Sequence, residues 1–433
     1  MEKNQKSLFP KDFLWGASVA SHQVEGGNHN QWTVWELENV ARLAKTAEKR
    51  LGKLKIWPEI KQQAERPSNY VSGSGVDHYN RYKEDFDLLQ KLNLNAFRFS
   101  IEWSRLEPEE GQWDQKEIEH YRTYIKELKT RGIEPVLNIW HWTHPTWFAA
   151  RGGFKYRRNL KYFSRFVEVV AKELLADLNY VLTINEPNVY TTYSYVVPEP
   201  VSKSRWPPQE KSVVSFARVY WNLINAHKQA YRILKRQKPG LQVGMASHLA
   251  NIQAKRPHNM MDEEITQWMR YFWDWLFLRR TRKQQDFIGF NYYFTDYYRF
   301  KFPVKPEDPK LPLSDLGWYM EPEGIYPLLL RTWAHYKKPI IITENGVADR
   351  HDQYRRWWIE ETIVAMERAR SEGVEVVGYI HWSLLDNFEW SFGWWPKFGL
   401  VGVDRKNGMK RTPRDSAQWF ASKIEKLSQG DSG

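Results

Sequence analysis

The fold can be read from Pro339-Ile340-Ile341-Ile342-Thr343-Glu344-Asn345-Gly346. Three consecutive β-branched residues suit a parallel strand that is covered on both faces. Pro339 stands at the opening of that strand, where its missing N–H costs least. Glu344 follows where the strand should end, and Asn345-Gly346 turns away. In a barrel of parallel strands the C-terminal strand ends form the active-site mouth. Glu344 is therefore the first candidate for a catalytic nucleophile.

A second stretch has the same grammar. Val181-Leu182-Thr183-Ile184 reads as a strand and delivers Asn185-Glu186-Pro187 to its end. Glu186 and Glu344 are far apart in the chain, so only the fold can bring them together. Two carboxylates facing each other at one mouth form the arrangement that cleaves a glycosidic bond. The competing reading is that each Glu merely ends a strand and meets solvent. It loses weight because both follow an apolar run and both precede a turn signal.

Further strands are expected at 13–18, 95–100, 133–140, 241–247, 286–291 and 376–382. With 181–184 and 339–343 they make eight. Helical patterns lie between most of them. Tyr79, Tyr82, Phe86, Leu89 and Leu92 share one helix face, and Asp114 with Glu117 forms a capping-box pattern for a helix ending near Gly132. A helix is expected over 163–175. A long one over 212–238 stops at Pro239-Gly240. Alternating strand and helix without a break in composition implies a parallel sheet. Eight strands closing on themselves give a single (β/α)8 barrel over 1–433, of the α/β class. A doubly wound open sheet is the runner-up, but no Gly-rich phosphate loop follows the first strand. One region stands apart, a basic helical and loop excursion at about 39–75. There Val40, Leu43, Ala47, Leu51 and Leu54 recur at helical spacing, with Lys45, Lys49, Arg50, Lys53 and Lys55 between them. Residues 198–208 read as a Pro-rich loop.

Composition narrows the class. The 433 residues include 23 Trp, more than a core of this size usually needs, and indole faces stack on sugar rings. Lys and Arg total 64 against 52 Asp and Glu, a formal charge of +12. That balance would attract anionic polymers, yet no nucleic-acid motif is present, so no specific nucleic-acid partner is expected. The absence of Cys excludes disulfides and thiolate metal sites. Residues 1–10 are polar and lack the apolar centre of a signal peptide. No run approaches the roughly 18 apolar residues of a membrane span. A cytoplasmic protein with no membrane partner is the expectation.

These residues also carry a likeness. The chain closely resembles the β-glycosidases of glycoside hydrolase family 1 over nearly its whole length, from Phe13-Leu14-Trp15-Gly16 to Val403-Asp404. The motifs include Gln23-Val24-Glu25-Gly26, the run Arg98-Phe99-Ser100-Ile101-Glu102-Trp103, Asn185-Glu186-Pro187, Glu344-Asn345-Gly346 and the run from Trp382 to Glu389-Trp390. The resemblance implies a cofactor-free, metal-free retaining enzyme for β-glucosides, with β-galactosides and β-fucosides also in range. Glu344 would be the nucleophile. Glu186 would be the acid that protonates the leaving group and then the base that activates water. The scheme needs carboxyls about 5–5.5 Å apart, with Glu344 ionised and Glu186 protonated at first. Interception of the intermediate by a sugar would give transglycosylation.

Other roles follow from the same resemblance. Arg98 and Tyr293 match the partners of the nucleophile, and Asn185 and Asn291 belong to the same subsite, Asn185 on the sugar 2-hydroxyl. Gln23, His141, Glu389 and Trp390 match the set that binds the remaining hydroxyls. Trp382 would lie beneath the ring, Trp142 would wall the pocket, Phe398 would fall near the 6-position and Trp318 would face the leaving group. Taken without the resemblance, His141 and His144 form only a weak metal pair. Members acting on 6-phosphosugars typically carry Ser where this chain has Glu389, so a 6-phospho-β-glycosidase is the disfavoured alternative. Thioglucosidases of the family replace the acid/base residue, which is present here as Glu186. An inactive carbohydrate-binding barrel would have lost Glu186 or Glu344, and a basic scaffold acting through 40–66 would show no sugar chemistry. Residues 39–75 and 191–211 depart from the family pattern, and 250–285 looks short. Preference among leaving groups is therefore left open, while the expected partner is a small-molecule β-glycoside or oligosaccharide substrate.

Overall fold

The computed structural model describes residues 9–197, 205–300 and 311–428, and the backbone alone of 302–304 and 429. Residues 198–204 of the expected Pro-rich loop lie outside the described residues. Eight parallel strands close a barrel in chain order. They are β1 Leu14–Ser18, β2 Ala96–Ser100, β3 Glu134–Trp140, β4 Tyr180–Asn185, β5 Gln242–His248, β6 Ile288–Tyr292, β7 Ile340–Asn345 and β8 Val376–Trp382. Closure is made by β1 against β8, in register from Leu14↔Gly378 to Ser18↔Trp382. Each strand falls where the apolar runs place it, within one or two residues.

Alternation along the strands explains why these runs are apolar throughout. Ile340 and Ile342 point outward into the large core beneath the helices. Ile341 points inward and packs with Leu14, Ala96, Val136, Leu182 and Ile380, residues from other strands that fill the barrel interior. Pro339 precedes the strand and accepts a hydrogen bond from the Ile288 N–H through its carbonyl.

The helical expectations hold, with differences that have local causes. The helix Gln115–Thr130 is capped by Asp114, which accepts from the Lys116 and Glu117 N–H groups. The Glu117 carboxylate does not complete a reciprocal box. It accepts instead from the Tyr79 hydroxyl at 3.0 Å. The helix Val213–Gln237 starts at an Ser212 cap and stops before Pro239. The basic excursion is three helices, Gln31–Lys45, Ala47–Leu51 and Trp57–Ala64. Leu43, Ala47 and Leu51 are buried as expected. Arg50, grouped by sequence with the exposed cations, is buried too and donates to the Tyr70 hydroxyl and the Leu43 carbonyl, each at 2.8 Å. The excursion packs through Leu51, Ile56 and Trp57 into a cluster that also holds Trp382 and Phe398. It therefore buttresses the mouth of the barrel.

Candidate active site

Both candidate carboxylates leave the strands at irregularities. On β7 the register slips between Ile342 and Glu344 against β6, and on β4 it slips between Leu182 and Asn185 against β5. Such breaks re-aim a side chain at the rim of a barrel. Glu186 then takes a left-handed backbone, with φ +42°, and stands just before the helix Pro187–Tyr195 without a capping bond from its side chain. Pro187 suits the first helical position because its missing N–H would be unsatisfied there anyway. A left-handed Glu is strained and persists where its surroundings over-determine it, a situation that clusters at functional sites. Here the Glu186 N–H is held by the Ala246 carbonyl at 2.7 Å. Trp142 and Trp390, at the same mouth, also have positive φ.

A continuous hydrogen-bonded layer joins the two carboxylates. The Arg98 guanidinium, from β2 and fully buried, forms an ion pair with Glu344 through Nη1 and donates to Asn185 Oδ1 at 2.6 Å through Nη2. The Tyr293 hydroxyl donates to the other Glu344 oxygen at 2.7 Å. Asn291 Nδ2 donates to Glu186 Oε1 at 2.8 Å and to Asn185 Oδ1 at 3.1 Å. Thr343, one residue before Glu344, fixes the Asn291 amide by donating to its Oδ1 at 2.6 Å. Asn185 Nδ2 reaches His141 Nε2 at 3.0 Å.

Electrostatics act on the buried acid. Burial, and then the charge of Glu344, push Glu186 well above the ordinary carboxylate range, against the opposing effects of Asn291 and Arg98. Burial and the Glu344 charge likewise raise Tyr293, which stays a phenol and a donor. Burial, with Arg98 and His22 nearby, lowers His141 well below 6.5, so its ring is neutral.

Above this layer opens a pocket lined by Glu186 and Glu344. His141, Trp142, Trp382 and Trp390 line it, with the His141 ring stacked on Trp382 and on Trp390 at 5.9 and 6.0 Å between centroids. Phe398, Trp318 and Tyr293 line it too, with ring centroids within 6.3 Å of one another, and they pack in one cluster with Trp382. Glu389 lines the pocket as well, and Gln23 lies behind it. The Gln23 amide donates to the Phe388 carbonyl at 2.7 Å and reaches Glu389 Oε2 at 3.5 Å. The structure thus brings every sequence-expected site residue to one place.

His141 and His144 do not share a site. The His144 ring packs against Phe148 and Phe154, and burial presses its pKa to about 3. Sequence reasoning missed Tyr193, Trp206, His248, Trp273 and Phe294, which also line the pocket. His248 is the last residue of β5, so the strand-end rule could have found it. The Trp273 indole donates to His248 Nδ1 at 3.1 Å, and no local signal marks it or Trp206.

A family model described as glycosyl hydrolase family 1 matches residues 5–279 and 277–428. The chain is 27% identical to β-glucosidase A of Acetivibrio thermocellus, over 97% of this chain and 99% of that one. It is 29% identical to a β-galactosidase of Sulfolobus acidocaldarius, over 92% and 91% of the two chains. The solved β-glycosidase from Pyrococcus horikoshii superposes with a TM-score of 0.83 at 32% identity, covering 98% of this chain and 96% of that one. Together with paired carboxylates at the mouth of a closed barrel, the match shows that the chain belongs to glycosyl hydrolase family 1 and is an O-glycoside hydrolase.

Proposed function

We propose that the protein is a retaining β-glycosidase that hydrolyses terminal non-reducing β-D-glucosyl residues by double displacement, with β-galactosyl and β-fucosyl residues as further substrates. The carrying observation is the unequal pair. Glu344 meets a guanidinium on one oxygen and a phenol on the other, while burial keeps a proton on Glu186. In the first step the Glu344 carboxylate attacks the anomeric carbon and Glu186 gives its proton to the departing oxygen. In the second step Glu186, now a carboxylate, takes a proton from water, and that water displaces Glu344 from the anomeric carbon. Two inversions retain the β configuration. Asn185 is positioned by Arg98 and Asn291 to meet the 2-hydroxyl, a contact that strengthens as positive charge grows at the ring. The neutral His141, Gln23 and Glu389 bind the other hydroxyls, and Trp382 supports the ring face. Glu389 repels a 6-phosphate. A sugar in place of water gives transglycosylation. The β-glucosidase and β-galactosidase relatives agree with this substrate class.

The test is release of nitrophenol from a panel of aryl glycosides, with the product anomer followed by NMR. Unphosphorylated β-glycosides should be cleaved to the β-anomer first, and Glu344→Gln should lose about a thousandfold or more in kcat, roughly 4 kcal/mol of transition-state stabilisation. Activity confined to the 6-phosphoglycoside, an α-anomer as first product, or unimpaired Glu344→Gln turnover would overturn the reading.

A further inference from the structure

The helical segment from Met260 to Trp275 is built inside out. Its inward side carries Asp262, Thr266 and Asp274, all buried. Asp262 is held by Arg256 and by the Phe300 N–H, and Asp274 accepts from the Ala250 N–H at 3.0 Å. Its outward side carries Met261, Ile265, Trp268 and Phe272, a spacing that places them on one stripe. Met261, Trp268 and Phe272 are 59%, 52% and 50% exposed, and the adjoining Met260 is 87% exposed. The Trp268 and Phe272 rings stack on each other at 5.7 Å. An ordinary surface helix has the opposite polarity.

Cations border the stripe. Arg279, Arg280, Arg282 and Lys283 follow it and are all exposed. Arg279 lies over the Tyr271 ring, and Arg280 lies over Trp221, itself 43% exposed. Beside Trp221 a shallow groove is floored by Val213 and Val214, 71% and 60% exposed, and edged by Arg218 and Arg157. The acids on the outer part of the segment are Glu263 and Glu264, and Glu264 accepts from the Trp268 indole.

We propose that this face docks on a lipid bilayer that carries anionic headgroups. Exposed methionines and an indole beside guanidinium groups match the chemistry of an interfacial helix, with apolar side chains entering the acyl boundary and cations meeting headgroups. Each cation held near such a surface tightens binding about fivefold. Two rings stacked on each other, among aliphatic side chains, offer bulk to an acyl layer rather than open faces to nucleic-acid bases. This binding is peripheral. Among the described residues no helix is long and apolar enough to cross a membrane. Docking would also set the pocket beside the bilayer, because Trp273, next to Phe272 in the chain, lines the pocket.

The experiment is flotation of the purified full chain with vesicles of phosphatidylcholine alone, and of phosphatidylcholine and phosphatidylglycerol in equal parts. Partition onto the anionic vesicles should be about tenfold greater or more, and should fall as salt rises. A Trp268→Ser/Phe272→Ser variant should lose about tenfold in partition while its turnover of a soluble nitrophenyl β-glucoside and its melting temperature stay at the parent values. Arg279→Glu/Arg280→Glu should abolish the preference for anionic vesicles. No flotation of the parent, or equal flotation of parent and variants, would overturn the proposal. So would a dimer in light scattering that the aromatic variant splits, which would assign the face to a second copy of the chain.

Discussion

In the proposed mechanism Glu186 carries the chemistry and a stability cost through the same proton. Its ordinary pKa is 4.5 and burial pushes it well above that in the folded chain. The folded state therefore holds a proton that the unfolded chain releases, and stability falls as pH rises from about 4.5 towards the folded pKa. Glu186→Gln removes that penalty and keeps an oxygen for Asn291. We expect its melting temperature to equal or exceed the parent's at neutral pH, with the gap closing near pH 4, while turnover of substrates with poor leaving groups collapses. The parent's kcat/KM should decline at high pH as Glu186 loses its proton. That alkaline limb should be absent from the residual activity of Glu186→Gln. Tyr293 gives a second expectation. Removing its hydroxyl takes one donor from Glu344, and a hydrogen bond to a charged group is worth about 1.5–3 kcal/mol. Tyr293→Phe should lower kcat by about 10- to 100-fold with the fold intact.

Strand ends set the positions of these groups, and a glycine controls one of them. A Cβ on Gly346 would lie 1.8 Å from the Trp382 carbonyl oxygen at the end of β8. Gly346→Ala must push β7 and β8 apart at Trp382, beside the pocket. We expect a loss of about 3 kcal/mol or more in denaturant unfolding, together with loss of activity. The barrel strands were legible because a strand buried on both faces shows as an unbroken apolar run, as at 340–342. Glu186 and Glu344 were legible because they sit where such runs stop. The interruption of the basic excursion into three helices was not, since its apolar spacing runs on across the breaks. Burial of Arg50 was not legible either, because its partner Tyr70 arrives through the fold. Trp206 joins the pocket from a loop that carries no period, and Trp273 joins it from a π-helical turn, Arg270–Trp275, whose spacing departs from the ordinary helical one. The stripe at 261–272 shows a further limit. Periodicity tells which residues share a face, and it cannot tell whether that face looks inward or outward.

At the scale of the whole molecule, an early helix and a late strand of the chain are tied by a buried ionic group. Arg411 donates to both oxygens of Asp85, at 2.9 and 3.1 Å, and His78 meets the same carboxylate at 2.7 Å. The strand Lys410–Pro413 is thereby fastened to the helix His78–Lys91. Burial alone would raise the Asp85 pKa, but hydrogen bonds from His78 and Arg411 hold it below 3.8. Its contribution to stability is therefore present above about pH 4 and is lost as pH falls through the lower folded value. Arg411→Met leaves a buried carboxylate short of its cation and should cost about 3–5 kcal/mol. Adding Asp85→Asn should restore part of that loss, which urea unfolding of the two variants would show.

The aromatic wall has a consequence beyond catalysis. Trp142 lies 4.6 Å from Trp206 and 4.8 Å from Trp390, and Trp390 lies 4.6 Å from Trp32. Chromophores that close share their excited states. The pocket is therefore its own optical reporter, and on the proposed function a sugar arriving against Trp142 and Trp390 should change near-ultraviolet dichroism and emission before any bond is broken.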